Sequence, residues 1–376
     1  MARSSIPAFR AGDAGSNHVR STLQQKRSRT DLWGREKEEA FAKQPKGALI
    51  LRNFKDELVL VTGGAGFIGS HLVDRLVSDG WRVRVADNLS SGSLNNIKHH
   101  MGDPNFEFLE VDLKDPVKAA EAVKNVGTVF HFAANPEVRV STTNPEVHFN
   151  ENIVATFNLL EAMRSLDVKN LVFASSSSVY GEPKSIPVGE DAPIKPVSVY
   201  GASKASCESL IHAYSSLYGI KSVVLRYANV VGPRLRHGVV YDFILKLLKN
   251  PEELEILGDG TQIRSYIYVN DAVDATLIAW NKAPGYFEAY NIGNLDWMGV
   301  SEIADVVARV MGISDFRRAY KPMLHGVGWL GDVKKIALDI KKLRALGWSP
   351  RMNSKQAITE SAKSILREIE TARNVK

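Results

Sequence analysis

From residue 57 onward the chain alternates short runs of apolar and β-branched residues with longer stretches in which apolar positions recur every three or four residues. Runs of the first kind read as strands and those of the second as amphipathic helices, with Gly, Asn or Asp at the junctions. The pattern predicts strands at 57–62, 82–87, 106–111, 127–132, 169–175 and 221–227, with helices near 67–79, 115–124, 149–165 and 199–218. Leu171-Val172-Phe173-Ala174 is apolar at every position, as in a strand buried on both faces. A doubly wound, Rossmann-type α/β fold follows: a parallel sheet over residues 57–232 with helices on both sides.

Beyond residue 232 the rhythm loosens into Pro- and Gly-rich stretches, with a short strand at 265–268 and helices near 300–312 and 355–370. Residues 233–376 therefore read as a smaller mixed α/β lobe, mainly substrate-binding, with some return to the first domain. Ligands bind at the carboxyl ends of parallel strands, so a lobe that follows the sheet supplies the second wall of a crevice.

Composition narrows the class. With 376 residues, 44% hydrophobic, 24% charged and a single cysteine, Cys207, the chain suits a large globular core and no internal disulfide. No apolar run approaches the roughly 18 residues of a membrane span. The net charge of +6 sits in residues 1–56, while the remainder balances. A nucleic-acid or anionic-membrane footprint on the folded body is therefore not expected. The 1–56 extension lacks apolar periodicity and reads as disordered. Its first thirty residues, rich in Arg and Ser with Asp13 the sole acid, would also suit an organelle transit peptide. A cytoplasmic location is the expectation for the body.

Candidate chemistry begins at the first strand, which runs into T-G-G-A-G-F-I-G-S and places Gly63, Gly66 and Gly69 where a helix should start. Glycines allow the tight turn and close backbone approach, and the helix N-terminus offers free N–H groups to a pyrophosphate. Asp87 closes the second strand, where an acid binds both hydroxyls of an adenine ribose and repels a 2′-phosphate, favouring NAD over NADP. Asp112 and Leu113, ending the third strand, are placed to meet the adenine.

Oxidising an alcohol by hydride transfer needs a base for the hydroxyl proton, and a Tyr with a Lys four residues later on one helical face can serve. Two such pairs occur. Tyr180 and Lys184 enclose Gly181 and Pro183, which makes that segment a loop, whereas Tyr200 and Lys204 open a helical pattern. At roughly 5 Å and an effective dielectric of about 20, one ammonium favours a phenolate by about 3 kcal/mol, so Tyr200 is expected to be acidified. Ser175 to Ser178, at the end of the fifth strand, supply hydroxyls beside the presumed cofactor. No metal site is expected.

Together these residues resemble the extended short-chain dehydrogenase/reductase family, the NAD-dependent epimerases and dehydratases, over residues 57–371. The resemblance rests on T-G-G-A-G-F-I-G-S-H-L, D-N-L-S-S-G, H-F-A-A, N-x-x-x-T at Asn152, S-S-S-S-V-Y-G, Y-G-A-S-K, R-Y-A-N-V-V-G-P-R, R-S-Y-I-Y-V-N-D and Y-N-I-G, in order. Within the family the chain is most similar to the UDP-glucose (UDP-galactose) 4-epimerases. The resemblance implies that Gly63, Gly66, Phe67, Ile68, Asp87, Asn88, Ser91, Gly92, Asp112, Leu113, Ala133, Ala134 and Asn152 bind NAD together with Tyr200 and Lys204. It makes Tyr200 the acid/base, Lys204 its tuning partner, Ser176 the group on the sugar 4-hydroxyl with Ser178 close by, and Asn229 and Arg264 the grip on the nucleotide diphosphate. It further implies a UDP-sugar substrate and a homodimer in which the helices at 149–165 and 199–218 pair with their copies, the alternative being that their apolar faces serve the sheet alone.

Two details refine this expectation. Dehydratases of the family carry an Asp-Glu pair, and decarboxylases a Glu, where this chain has Ser177 and Ser178, so plain 4-epimerisation is favoured over elimination. Epimerisation of UDP-N-acetylglucosamine or UDP-glucuronate is the alternative, with a non-catalytic NAD-binding protein further behind. Relatives carry Arg-Pro-Gly-Asp-Val near the C-terminus, whereas this chain reads Trp329-Leu330-Gly331-Asp332-Val333. One phosphate contact is thereby lost, Asp332 is left as a ribose ligand with a changed neighbour, and Arg234, Arg236 and His237 are the candidate replacements.

Overall fold

A computed structural model describes residues 57–374, so the expectations for residues 1–56 fall outside the described part. Seven parallel strands form the central sheet. In chain order they are β1 (Leu58–Thr62), β2 (Arg82–Asp87), β3 (Phe106–Glu110), β4 (Thr128–His131), β5 (Asn170–Ser176), β6 (Lys221–Tyr227) and, much later, Phe287–Ile292. The strand order is 3-2-1-4-5-6 with the late strand outside β6, every pairing being parallel. The order reverses between β1 and β4, the switch point at which doubly wound sheets open a crevice.

The helices explain why the strands are apolar throughout. Along β1, Val59 and Val61 face one way and Leu60 the other, and all are fully buried. On one side they meet Leu72, Val73 and Leu76 of α1 (Phe67–Ser78), and on the other a layer with Ala119, Ala122 and Val123 of α2 (Pro116–Val123). Leu159, Leu160 and Met163 of α3 (Ala155–Ser165) and Cys207 and Ile211 of α4 (Val199–Tyr218) complete the second layer. The predicted helix at 149–165 is continuous only from Ala155. Before it runs a π-helical turn, Phe149–Val154, preceded by a short α turn, Glu146–His148. Such insertions are common near functional sites, and at the end of this one the Asn152 carbonyl accepts from the Thr156 hydroxyl at 2.6 Å.

After β7 (Asn229–Val231) come α5 (Val239–Lys249), β8 (Glu253–Leu257), β9 (Ile263–Arg264), β10 (Tyr266–Tyr268) and α6 (Val269–Lys282). The late strand of the central sheet, β11 (Phe287–Ile292), is followed by β12 (Met298–Gly299), α7 (Val300–Val310), β13 (Arg317–Lys321), β14 (Lys335–Ile336), α8 (Lys341–Ala345) and α9 (Ser354–Asn374). A separate core of Phe243, Ile244 and Leu247 from α5, Ile303 and Val307 from α7, and Ile358 and Ile365 from α9 holds the C-terminal elements together. In contrast, α6 packs on the central sheet, where Ala272, Val273 and Trp280 join the core beside α1. No helix among the described residues is long and apolar enough to cross a membrane.

Candidate active site

A cavity of about 670 Å³ opens at the carboxyl edge of the sheet, its far wall supplied by residues after 230. That volume is ordinary for a pocket that encloses a small ligand. Its floor is the glycine turn. Gly63 has φ +66°, and a Cβ there would lie 2.6 Å from the backbone nitrogen of Ala133. A Cβ on Gly69 would stand 2.2 Å from the Gly63 carbonyl oxygen, so α1 packs against its own entry turn. Gly66 caps α1 without a side chain, leaving the first N–H groups of the helix to face the cavity beside Phe67 and Ile68.

The next wall is built from strand ends. The Asp87 carboxylate accepts from the amides of Ala65 at 2.9 Å and Leu89 at 2.8 Å. Burial raises its pKa, and those two amides pull it back. Asn88, Ser91, Gly92, Asp112 and Leu113 line the same end, and Ala133 and Ala134 follow from β4. Asn152, which the resemblance assigns to NAD, is placed differently from the others. It does not line the cavity but lies buried behind it, accepting from the Asn135 amide and donating to the Ser203 hydroxyl, each at 2.8 Å. The π-helical turn carries it there, so Asn152 braces the loop after β4 against α4.

Tyr200 and Lys204 occupy the first turns of α4, which starts where the Ser198 hydroxyl accepts from the Gly201 amide at 3.0 Å. Ser176 and Ser178 face them, the Ser178 hydroxyl donating to that of Ser176 at 2.9 Å. The expected acidification of Tyr200 is not found in the protein alone. Burial pushes its pKa up to about 12, against a hydrogen bond with Ser176. Burial likewise pushes Lys204 down to about 8. The reason is geometric: the Lys204 ammonium donates to the Ala174 carbonyl at 2.8 Å and lies 4.9 Å from the Phe173 ring centre, 6.0 Å from that of Tyr200.

The rival pair falls away. Tyr180 is buried, donates to Asn291 at 2.7 Å and accepts from Arg226 at 2.9 Å, while Lys184 is exposed. On the far wall, Asn229 is exposed to the cavity, and Arg264 and Asp332 meet in an ion pair of 2.8 Å. Two expected ligands are thus each other's partner. Arg234, Arg236 and His237 also line this wall. Sequence reasoning missed His148, fully buried and edge-on to Tyr200 at 5.6 Å, since a lone His in a helical stretch carries no signal.

Residues 59–293 match the family model described as the NAD dependent epimerase/dehydratase family. The chain belongs to this family. A solved UDP-galactose 4-epimerase is 49% identical, with 83% of this chain and 99% of that one covered and a TM-score of 0.75. The UDP-glucose 4-epimerase of Thermotoga maritima, solved with UDP-glucose, is 35% identical over 83% of this chain and 99% of its own, with a TM-score of 0.75. That of Mycolicibacterium smegmatis is 36% identical over 309 residues, 80% of this chain and 96% of the relative.

The cofactor of the family, NAD, suits the residues present. The side-chain-free turn at Gly63 and Gly66, the open N-terminus of α1 and the buried carboxylate of Asp87 form a cradle whose turn has no room for a Cβ at Gly63, which would collide with the Ala133 backbone. Each Asp87 oxygen keeps a lone pair beyond its one amide contact.

Proposed function

We propose that this member of the family is a cytoplasmic, homodimeric UDP-glucose/UDP-galactose 4-epimerase. The observation that carries the reading is the meeting of Tyr200, Lys204, Ser176 and Ser178 at one end of a cavity whose other end bears Asn229, Arg264 and Asp332. The strand end beside Tyr200 carries hydroxyls at Ser176, Ser177 and Ser178 and no carboxylate, which favours inversion over elimination.

When bound, NAD supplies the acceptance and return of hydride that inversion at C4 requires. Tyr200 takes the proton of the sugar 4-hydroxyl and gives it back to the same oxygen when C4 has presented its other face. Ser176, itself held by Ser178, hydrogen-bonds that oxygen, and Lys204 fixes the charge around the phenol. The Arg264–Asp332 pair and Asn229 hold the nucleotide end, leaving the 4-keto sugar free to present its other face. Gly63, Gly66, Phe67, Ile68, Asp87, Asn88, Ser91, Gly92, Asp112, Leu113, Ala133 and Ala134 hold the cofactor. Phe149 and Phe157, exposed at 55% and 45%, and Val199 supply the apolar face for the second copy. The lone buried Cys207 suits a reducing compartment.

The test is incubation of the purified chain with UDP-galactose, with NAD tested as present or added, and identification of the product sugar. Formation of UDP-glucose is expected. Conversion of UDP-N-acetylglucosamine or UDP-glucuronate at a higher kcat/KM would reassign the substrate, and light scattering that finds a monomer would remove the dimer.

A further inference from the structure

A set of nitrogen and carboxylate donors lies outside the cavity, on the flank of α1. Asp74 belongs to α1, and His99 and His100 to the 3-10 turn Lys98–His100 between β2 and β3. His99 Nε2 stands 2.9 Å and His100 Nε2 2.8 Å from the same oxygen, Asp74 Oδ1. The three donor atoms lie within 4.8 Å of one another, and no other trio of His, Cys, Asp or Glu among the described residues is so disposed. None of the three lines the cavity.

Successive residues ordinarily send their side chains apart. Here the tight turn follows the fully buried Ile97, and the Phe106 ring lies 5.4 Å from that of His100. The two imidazoles are thereby held side by side, their planes tilted by 46° and their ring centres 4.1 Å apart. The other Asp74 oxygen accepts from Arg234 at 2.8 Å, and Arg234 also donates to the Ser70 hydroxyl at 3.0 Å. Both Asp74 oxygens are thus engaged, Oδ1 by the two rings and Oδ2 by the Arg234 guanidinium. A ready carboxylate and two convergent imidazoles are a donor set, with an outer partner already fixing the carboxylate's orientation.

We propose that Asp74, His99 and His100 bind a divalent late first-row transition-metal ion, represented by Zn²⁺. Two imidazole nitrogens and one carboxylate oxygen suit Zn²⁺ with a water in the fourth position, whereas Mg²⁺ and Ca²⁺ prefer oxygen throughout. The ion takes the place of the hydrogens now shared between the rings and Oδ1, with the donors moving apart by a few tenths of an ångström. Side-chain exposures of 47% for His99 and 31% for Asp74 leave it a path in. Once bound, it ties α1 to the β2–β3 connection and, through Arg234, to the loop after β7.

The experiment uses the full chain, without an affinity tag, stripped with a chelator and dialysed. Zn²⁺ is titrated by calorimetry and Co²⁺ by visible absorption, in the wild type and in a His99→Gln/His100→Gln double variant. Expected are one ion per wild-type chain with micromolar affinity, a four-coordinate Co²⁺ spectrum, and a Zn²⁺-dependent rise in Tm, with affinity reduced by at least about tenfold in the double variant. Undiminished binding in that variant would mark an adventitious ion only and overturn the proposal, as would no binding by the wild type. Should the double variant misfold by circular dichroism, Asp74→Asn takes its place under the same criteria. All of these readouts are independent of epimerase activity.

Discussion

Burial drives Tyr200 and Lys204 toward their neutral forms, the phenol up to about 12 and the ammonium down to about 8. For Tyr200, whose folded pKa is raised, the stabilising contribution is complete below pH 10 and is lost as the pH climbs to about 12. For Lys204, folding is opposed below pH 8, and the opposition fades as the pH rises toward 10.5. The protein alone therefore holds a protonated phenol, and a nearby positive charge such as that of oxidised nicotinamide must shift it downward. In cofactor-free protein, the ultraviolet difference between wild type and Tyr200→Phe should show no tyrosinate from Tyr200 up to pH 10, and adding NAD⁺ should bring the signal to lower pH. Ionisation near pH 8 without cofactor would contradict this account. The same variant keeps the ring against His148 and loses only the hydroxyl, so kcat should fall by roughly 10²- to 10⁴-fold with Tm nearly unchanged.

At the scale of elements, β1, its turn and α1 act as one unit because Gly63 admits no side chain. Gly63→Ala would force φ +66° on an L-residue and drive a Cβ into Ala133, costing at least about 1 kcal/mol and abolishing NAD binding, as denaturant unfolding and fluorescence titration would show. A second unit lies behind the chemistry. Glu208, one turn beyond Lys204 on α4, is 4% exposed and accepts from Arg226 of β6 at 2.7 Å and from Ser175 of β5. Glu208→Leu would leave Arg226 charged and buried without its carboxylate, a loss of about 3–5 kcal/mol that urea unfolding would register. Much of this framework was legible in the sequence, since doubly buried strands and spaced glycines leave a local pattern. The π turn that moves Asn152 behind the cavity was not, because one inserted residue barely disturbs a helical period. Nor was β11 assigned: Phe287-Glu288-Ala289-Tyr290-Asn291-Ile292 mixes polar residues into a strand because Glu288 pairs with Lys342 and Asn291 holds Tyr180. Likewise, the Arg264–Asp332 pair joins positions far apart in the chain, which no local spacing reveals.

Across the whole molecule, the central sheet is completed only by chain that comes after the first excursion into the C-terminal elements. β11 covers the outer edge of β6, and α6 brings Ala272, Val273 and the largely buried Trp280 onto the face shared with α1. Tyr290 and Ile292 are fully or almost fully buried in the same core, and burying such side chains contributes roughly 1.5–3 kcal/mol each. A fragment of residues 57–232 would lose these contributions and leave β6 with an open apolar edge, a template for association with other chains. It would also leave Tyr180 and Arg226 without Asn291, which now ties them to the segment around Val188 and Asp339. The expected outcome is that residues 57–374 unfold in one cooperative transition, while 57–232 aggregates or shows no cooperative transition by circular dichroism and binds no NAD. A soluble 57–232 fragment that bound NAD with the affinity of the longer chain would mean that the first six strands carry their own stability, and that β11 and α6 serve only to position the second wall of the cavity.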